Sequence, residues 1–506
     1  MPPPADTLSE VDRLRAELAR SQQNLHAAQL KIQALTLELA HHKRLRFGQK
    51  SEALARGQAD LFNETAQIDQ AAIEAELAQL TQTLRPRPPR ARAGRQPLPD
   101  HLPRIEHRHE PDTCQCGQCG HDLIQIGEDI SEQLDIEPAR FFVHRHIRPQ
   151  YACTTCDTVT AAPIPPAIID GGLAAPGLLA WVLVSKYLDH LPLYRQVQIA
   201  ARQEVPLALS TLAEWVGRTG WALTPLAERL RELQRARGVL HADETPVQQL
   251  APGQGKTQRA YLWAYRSNDL EGDPPIVVFD YQTSRAGRHA ASFLQGWQGH
   301  LLVDDYAGYK ALFQEGAITE LGCLAHARRK FFDLAQASGS PVAHRALRHI
   351  ARLYRIEAQA ADGSIAKRQA LRARYAQPRL RLTQAWLIKT RLTVPDGSGT
   401  AKAIDYTLKR WPALCRYAAT GHLPIDNNPV ENVIRPIALG KKNWLFTGSD
   451  RAGQRAAVIQ TLLGTAKLNG LDPAAWLKDT LERLPTWPNS RLDELLPLRP
   501  HQAPTG

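Results

Sequence analysis

VLHADETPV, residues 239–247, opens on an apolar run of strand type and then places Asp243 beside Glu244. HLLVDDYAGY, residues 300–309, repeats the pattern: an apolar strand delivers Asp304 and Asp305 into a turn-forming segment. A third segment, DNNPVENVIRP at 426–436, carries Glu431 in or near the start of a helix. Carboxylates at neighbouring strand ends, joined by one from a helix, can hold two divalent ions about 4 Å apart. Such a pair activates an attacking oxygen and stabilises a leaving oxygen in phosphodiester chemistry. Magnesium suits the task, because hard oxygen ligands leave it room for water and phosphate. Asp after a strand also starts ordinary turns, so any one of these residues alone is more often structural than catalytic.

Around these segments the chain reads as a central α/β unit. Short strands are expected at 238–241, 260–265, 276–280 and 300–303, with a helical pattern at 288–294. Residues 321–425 read as helices, and 453–484 as closing helices. Before the α/β unit, 172–237 is helical. Within it, 193–202, a turn at 204–206, and 210–218 make a helix-turn-helix pattern, with Ser210 or Thr211 as cap and Trp215 and Val216 facing the first helix. Two helices joined by a turn also occur in any helical domain.

Five of the seven cysteines lie between 114 and 156. Cys116-x-x-Cys119 and Cys153-x-x-Cys156 form two thiolate pairs, the tetrahedral set zinc prefers. Four thiolates leave no open position, so this zinc is structural. Phe142, Val143 and Ile147 suggest strands of a zinc ribbon, whose hairpin must be long or decorated to span the interval. Cys114 is a surplus thiol that could replace Cys116.

Val11, Leu18, Leu25, Ile32 and Leu39 recur every seven residues, with Leu14, Ala28 and Leu35 filling most of the second column. That 3.5-residue period makes a seam two helices can bury, and favours self-association over packing on the chain itself. RPRPPRARAGRQPLP at 85–99 is an extended linker whose arginines suit a solvated spacer or a phosphate-backbone arm equally.

Composition bounds the function. The 506 residues carry 62 Lys plus Arg against 51 Asp plus Glu, a net charge of +11, which favours polyanionic partners. The longest apolar run, 177–184, is too short to span a bilayer, and the acidic N-terminus does not read as a signal peptide, so a cytoplasmic protein is expected. Arg328, Arg329 and Lys330, then Arg435, Lys441 and Lys442 with Trp444, are candidate DNA contacts. Cations beside an exposed aromatic suit a bent or unpaired strand. Arg345, Arg348, Arg352 and Arg355 line one helical face, for DNA or for solvent.

Taken together, HLPLYRQ (190–196), HADETPV (241–247), DDYAGY (304–309), AHARRKF (325–331), IDNNPVEN (425–432) and GKKNWLF (440–446), with RFGQKSE (46–52) and the Cys-x-x-Cys pairs, resemble transposases of insertion sequence 66 type, nearly end to end. The resemblance implies an RNase H-like catalytic core of the DDE type, with Asp243, Asp304 and Glu431 as triad and the helices between Asp304 and Glu431 as an insertion. It implies Mg²⁺ or Mn²⁺-dependent cleavage and strand transfer at terminal inverted repeats, target DNA as second substrate, a homo-oligomer, and accessory proteins of the same element. Strand alternation cannot choose between Asp304 and Asp305; the family pattern, in which Gly often follows the first, chooses Asp304. Lys441 stands where Arg is common, which loses a bidentate fork. Cys323 and His326 match a Cys-x-x-His signature for which the sequence offers no role.

The expected organisation is therefore a multidomain α/β protein. It comprises a coiled-coil segment (1–50), a helical segment and linker (51–104), a zinc module (105–170), a helix-turn-helix-like region (171–237), a core (238–450) with an insertion at about 335–424, and a C-terminal helical region (451–506). Two other readings compete: a non-catalytic zinc-containing regulator of element ends, and an RNase H-like nuclease that cuts without joining.

Overall fold

A computed structural model describes residues 98–499, except 111–113, 116–117, 120, 138–139, 252–255, 315 and 362, together with scattered residues between 17 and 35. The chain forms two compact units, residues 1–183 with 192–222, and residues 184–191 with 223–506. Most of the heptad seam, RFGQKSE and the linker up to residue 97 lie outside the described residues. Those described between Glu17 and Leu35 are helical, with Leu25 43% exposed and Leu35 buried.

The first unit holds a four-stranded sheet: β1 (Arg104–Arg108), β2 (Ile124–Glu137), β3 (Arg140–Ala152) and β4 (Val159–Ala161). β2 and β3 pair antiparallel along nearly their whole length, from Ile124↔Ala152 to Glu137↔Arg140. This is the long hairpin the cysteine spacing requires. Helices α1 (Pro176–Tyr187), α2 (Leu193–Ala201) and α3 (Leu209–Ala222) follow. α2 and α3 match the expected helix pair, with Trp215 and Val216 buried. Two details differ. Ser210 and Thr211 lie inside the first turn of α3 and do not cap it. Along α3 only Ser210 is exposed, so little of its surface is open to a groove.

The second unit adds α4 (Thr224–Arg235) and a five-stranded sheet: β5 (Val239–Ala251), β6 (Lys256–Ser267), β7 (Val277–Gln282), β8 (Gly299–Val303) and β9 (Ile318–Gly322), with α5 (Gly287–Phe293) between β7 and β8. The order is β7-β6-β5-β8-β9. β6 runs antiparallel to both its neighbours, while β5, β8 and β9 are parallel. Only the second strand is therefore reversed. Helices α6 (Leu324–Ser338), α7 (Pro341–Gln359), α8 (Ile365–Leu371), α9 (Gln377–Arg391), α10 (Gly399–Lys409) and α11 (Trp411–Cys415) lead to α12 (Asn428–Trp444), α13 (Asp450–Leu468) and α14 (Pro473–Arg483).

Apolar residues of α12 and α13, among them Val430, Ile434, Ile437 and Ala457, pack on Leu262, Val277 and Phe279 of the sheet. The outer edge of β7 is closed by hydroxyls: the Phe279 amide donates to Thr461 Oγ1 (2.9 Å) and the Val277 amide to Thr465 Oγ1 (3.2 Å). The helical segment after β9 packs around Phe331, Ile350 and Leu387, in a core that also takes in Val239, Leu302 and Leu321 of the sheet. Arg372, fully buried there, donates to Glu357 and to the carbonyls of Tyr417, Thr420 and Leu423. A charge at that depth is tolerable only because its donors are met. Among the described residues, no helix is long and apolar enough to cross a membrane.

A candidate catalytic centre and a candidate zinc site

Asp243 is not at a strand end. β5 continues to Ala251, and the residue that ends is its partner: β8 pairs with β5 only as far as His241↔Leu302 and stops at Val303. The shared offset places Asp243 and Asp304 level with each other, each two residues past the last pair. From there one edge of β5 is open until Thr447 bridges back onto it. Side chains meet the exposed backbone in between. Asn427 Nδ2 donates to the Ala242 carbonyl (2.9 Å), and Lys441 Nζ to the Pro246 carbonyl (2.9 Å).

Asn427 also fixes the third carboxylate. His241 is fully buried and its pKa is lowered to about 3 by burial, so it is neutral; its Nδ1–H donates to Asn427 Oδ1 (3.0 Å). The Asn427 amide in turn donates to Cys323 Sγ (3.2 Å), and the Leu324 amide to the Ile425 carbonyl (3.1 Å). α12 therefore begins pinned both to β5 and to the start of α6, with Glu431 in its first turn. This gives Cys323 a role: burial pushes its thiol up to about 12, and the neutral sulfur acts as an acceptor that joins two helix starts. Asp426 continues the join, accepting from the Tyr354 hydroxyl of α7 (2.7 Å).

The electrostatics are those of crowded acids. Asp243 is raised to about 8, first by burial and then by Glu244, Asp304 and Glu431. Glu431 Oε1 and His326 Nδ1 are buried without hydrogen-bond partners among the described residues and face each other at 3.6 Å. Cys323, His326 and Glu431 offer ligand atoms within 4.8 Å of one another. Hard carboxylate oxygens, one of them orphaned, and a carboxyl that burial keeps protonated are what a divalent cation would correct. By that chemistry the carboxylates suit a divalent ion, while the ligand atoms gathered within 4.8 Å are those of Cys323, His326 and Glu431, and Asp243 and Asp304 are not among them.

Asp305 faces elsewhere. Arg410, 5% exposed, donates to Asp305 Oδ1 (2.9 Å) and pairs with Glu320 (3.0 Å), and Lys310 lies 3.1 Å from the same oxygen. Burial pushes Asp305 up, but the hydrogen bonds from Arg410 and Lys310 outweigh it and hold the group below the ordinary carboxylate range. Asp304 Oδ1 accepts from the Tyr306 amide (2.8 Å), forming the turn after β8. The two neighbours are thus divided between the open edge and the helical segment.

Two residues escaped the sequence reading. The Glu244 side chain is 1% exposed and accepts from Tyr309 (2.8 Å) and from Arg285 Nε (2.6 Å). The Asp-Glu pair was a visible signal for the first; nothing in the sequence tied Arg285 to it. Among the expected DNA contacts, Arg328, Arg329, Lys330, Arg435 and Lys442 are exposed. Lys441 is committed to Pro246. Trp444 is half-buried against the α12–α13 core and does not stand free as an exposed stacking platform. Arg345, Arg348, Arg352 and Arg355 are all exposed on α7.

In the other unit, Cys119, Cys153 and Cys156 converge: Cys119 Sγ lies 3.4 Å from Cys153 Sγ and 3.8 Å from Cys156 Sγ. Thiolates bound to one zinc at about 2.3 Å stand about 3.8 Å apart in a tetrahedron. Amides of the turn, from Thr155 and Cys156, lower the Cys153 pKa, which favours the ligating thiolate. Cys114 is not in this group, and Cys116, the fourth expected ligand, lies outside the described residues. The donor set suits zinc.

The chain matches several family models and known proteins in sequence. A family model described as Transposase IS66 family matches residues 171–455, and one for the zinc-finger binding domain of transposase IS66 matches 113–157. The IS66 C-terminal element matches 461–498, and Transposase C of IS166 homeodomain matches 34–106. Two uncharacterized proteins of Sinorhizobium fredii are similar: one is 39% identical over 79% of this chain and 81% of its own length, the other 37% identical over 95% and 92%. A solved structure, the Mos1 transposase paired-end complex with left transposon end, aligns at 11% identity with a TM-score of 0.13, over 52% of this chain and 82% of that one.

Proposed function

The chain belongs to the IS66 transposase family, and from that premise we propose that it cleaves the 3′ strands at the ends of its own element and joins them to target DNA. The observation that carries this reading is the register that sets Asp243 level with Asp304, beside a helix start that Asn427 ties to the same strand. The strand order, with only the second strand reversed, supports an RNase H-like core.

Asp243, Asp304 and Glu431 would hold two Mg²⁺ ions. When bound, these would activate the attacking oxygen and offset charge on the leaving oxygen. The chain's own work is placement. His241, Asn427 and Cys323 keep Glu431 at the open edge of β5, and Asp305 with Arg410 keeps the turn after β8 against the helical segment. Exposed Arg328, Arg329, Lys330, Arg435 and Lys442 supply phosphate contacts. The zinc module, with thiolates kept reduced in the cytoplasm, and the basic N-terminal segments would bind terminal inverted repeats. The heptad segment would pair two chains so that two ends are held together, with accessory proteins of the element assisting.

The test is to incubate purified protein with Mg²⁺, a labelled end duplex and a plasmid. Joined products support the proposal. Nicks without joining would mean a nuclease, and end binding without nicks would mean a non-catalytic regulator.

A further inference from the structure

Arg285 sits in the short link between β7 and α5, remote in sequence from every catalytic motif. Its Nε donates to Glu244 Oε1 at 2.6 Å, and its Nη2 lies 2.5 Å from the same oxygen. Its Cζ lies 3.8 Å from the centre of the Tyr306 ring, a cation–π stack. The Tyr306 hydroxyl closes the loop by donating to the Arg285 carbonyl. Tyr306 follows Asp304 by two residues, and its amide donates to Asp304 Oδ1. One turn therefore carries both a catalytic carboxylate and the surface on which the guanidinium rests. The two segments touch at backbone level: a Cβ on Gly287 would run into the Gly308 carbonyl.

A counter-ion for Glu244 would satisfy part of this arrangement, since a carboxylate 1% exposed needs one. It does not explain the rest. The Arg285 side chain is 43% exposed, and its Nη1 has no protein partner among the described residues. Its charge couples to that of Asp304. Asp243, Glu244, Asp304 and Glu431 crowd a site that must receive a polyanion, and a fixed, outward guanidinium beside them offers that polyanion a fork of donors at little entropic cost.

We propose that Arg285 binds a backbone phosphate of the DNA strand next to the bond that is cut, with Glu244 and Tyr306 as its positioning residues. This rests on the transposase reading above. The site is thereby a cation-and-carboxylate pair of opposite tasks: the acids hold metal, and Arg285 holds phosphodiester.

The experiment uses the full chain, Mg²⁺ and labelled end duplexes in which single phosphates around the cleavage position are replaced by neutral methylphosphonates. Wild type should lose cleavage about 10- to 100-fold at one of these positions, the range expected for losing a charge-assisted contact. R285A should show that loss on natural DNA and no further loss at that one position, while its response to methylphosphonates elsewhere stays as in wild type. R285K, which keeps the charge without the fork, should fall between. The slope of log end-binding affinity against log salt should shrink by about 0.9 in R285A, as for one phosphate contact. Because R285A strands a buried carboxylate, the double variant R285A/E244Q removes both charges and guards against misfolding; it should keep the cleavage loss. If the double variant cleaves like wild type and remains sensitive to the same methylphosphonate, Arg285 is only the counter-ion of Glu244 and the contact is wrong. A wild type that binds ends but never cleaves them would overturn the proposed function itself, and this contact with it.

Discussion

Replacing Asp243 with Asn should flatten the dependence of stability on pH in metal-free buffer. Burial, with Glu244, Asp304 and Glu431 alongside, raises the Asp243 carboxyl from an ordinary 3.8 to about 8. In that window the folded chain keeps a proton that the unfolded chain has released. The contribution is therefore complete below pH 4 and is lost as pH climbs towards 8. Between pH 6 and pH 8 the unfolded group would gain about 2.7 kcal/mol from ionising and the folded group about 0.4, so wild type should lose about 2 kcal/mol that the variant does not. At about 2–4 °C per kcal/mol for a unit of this size, that is a melting-temperature difference of about 5 °C. The assay is thermal unfolding of both proteins from pH 5 to 8.5 with a chelator, read as the wild-type-minus-variant difference, in which the other titrating groups cancel. Adding Mg²⁺ at pH 8 should raise wild type well above its chelated value and move the variant less, because the ion binds the folded carboxylate. Parallel curves with and without Asp243, or equal gains from Mg²⁺, would refute the reasoning: the carboxyl would then be neither desolvated nor a ligand.

Asp304→Asn and Glu431→Gln should abolish cleavage and joining while end binding, read by gel shift, persists. Asp305→Asn should instead cost about 2 kcal/mol of stability, because Arg410 loses a charged partner in a buried setting, and should leave cleavage measurable per folded molecule. Metal analysis should find about one zinc per chain, and Cys153→Ser with Cys156→Ser should remove it, with end binding weakened while the melting transition of the catalytic unit stays in place. Sedimentation of a peptide covering residues 8–45 should show a helical dimer or larger species, and Leu25→Glu with Ile32→Glu should make it a monomer.

The sequence by itself determined the residue types and motifs on which the proposed chemistry rests. Acidic residues after apolar runs, two Cys-x-x-Cys pairs and the motifs around Asp243, Asp304 and Glu431 are local patterns, and local patterns survive without coordinates. Strands β5 to β8, the long β2–β3 hairpin and the helix pair α2–α3 were legible for the same reason. β9 was not: ITELG, 318–322, has too few apolar residues to signal a strand, and it is a strand because β8 offers it a parallel edge. Asp243 was expected where β5 ends, yet β5 runs on because β6 pairs with it to Ala251. The resemblance chooses Asp304 over Asp305, but only tertiary structure shows what stands beside each, since alternation sends neighbours to opposite sides and does not say what waits there. Arg410, 105 residues away, waits beside Asp305. The partnership of Glu244 with Arg285, and of Cys323 with Asn427, is likewise a fact about distant segments brought together. A residue's type limits what it can bind, and a pattern places it on an element; which charge stands opposite it is decided by packing, which no local pattern encodes.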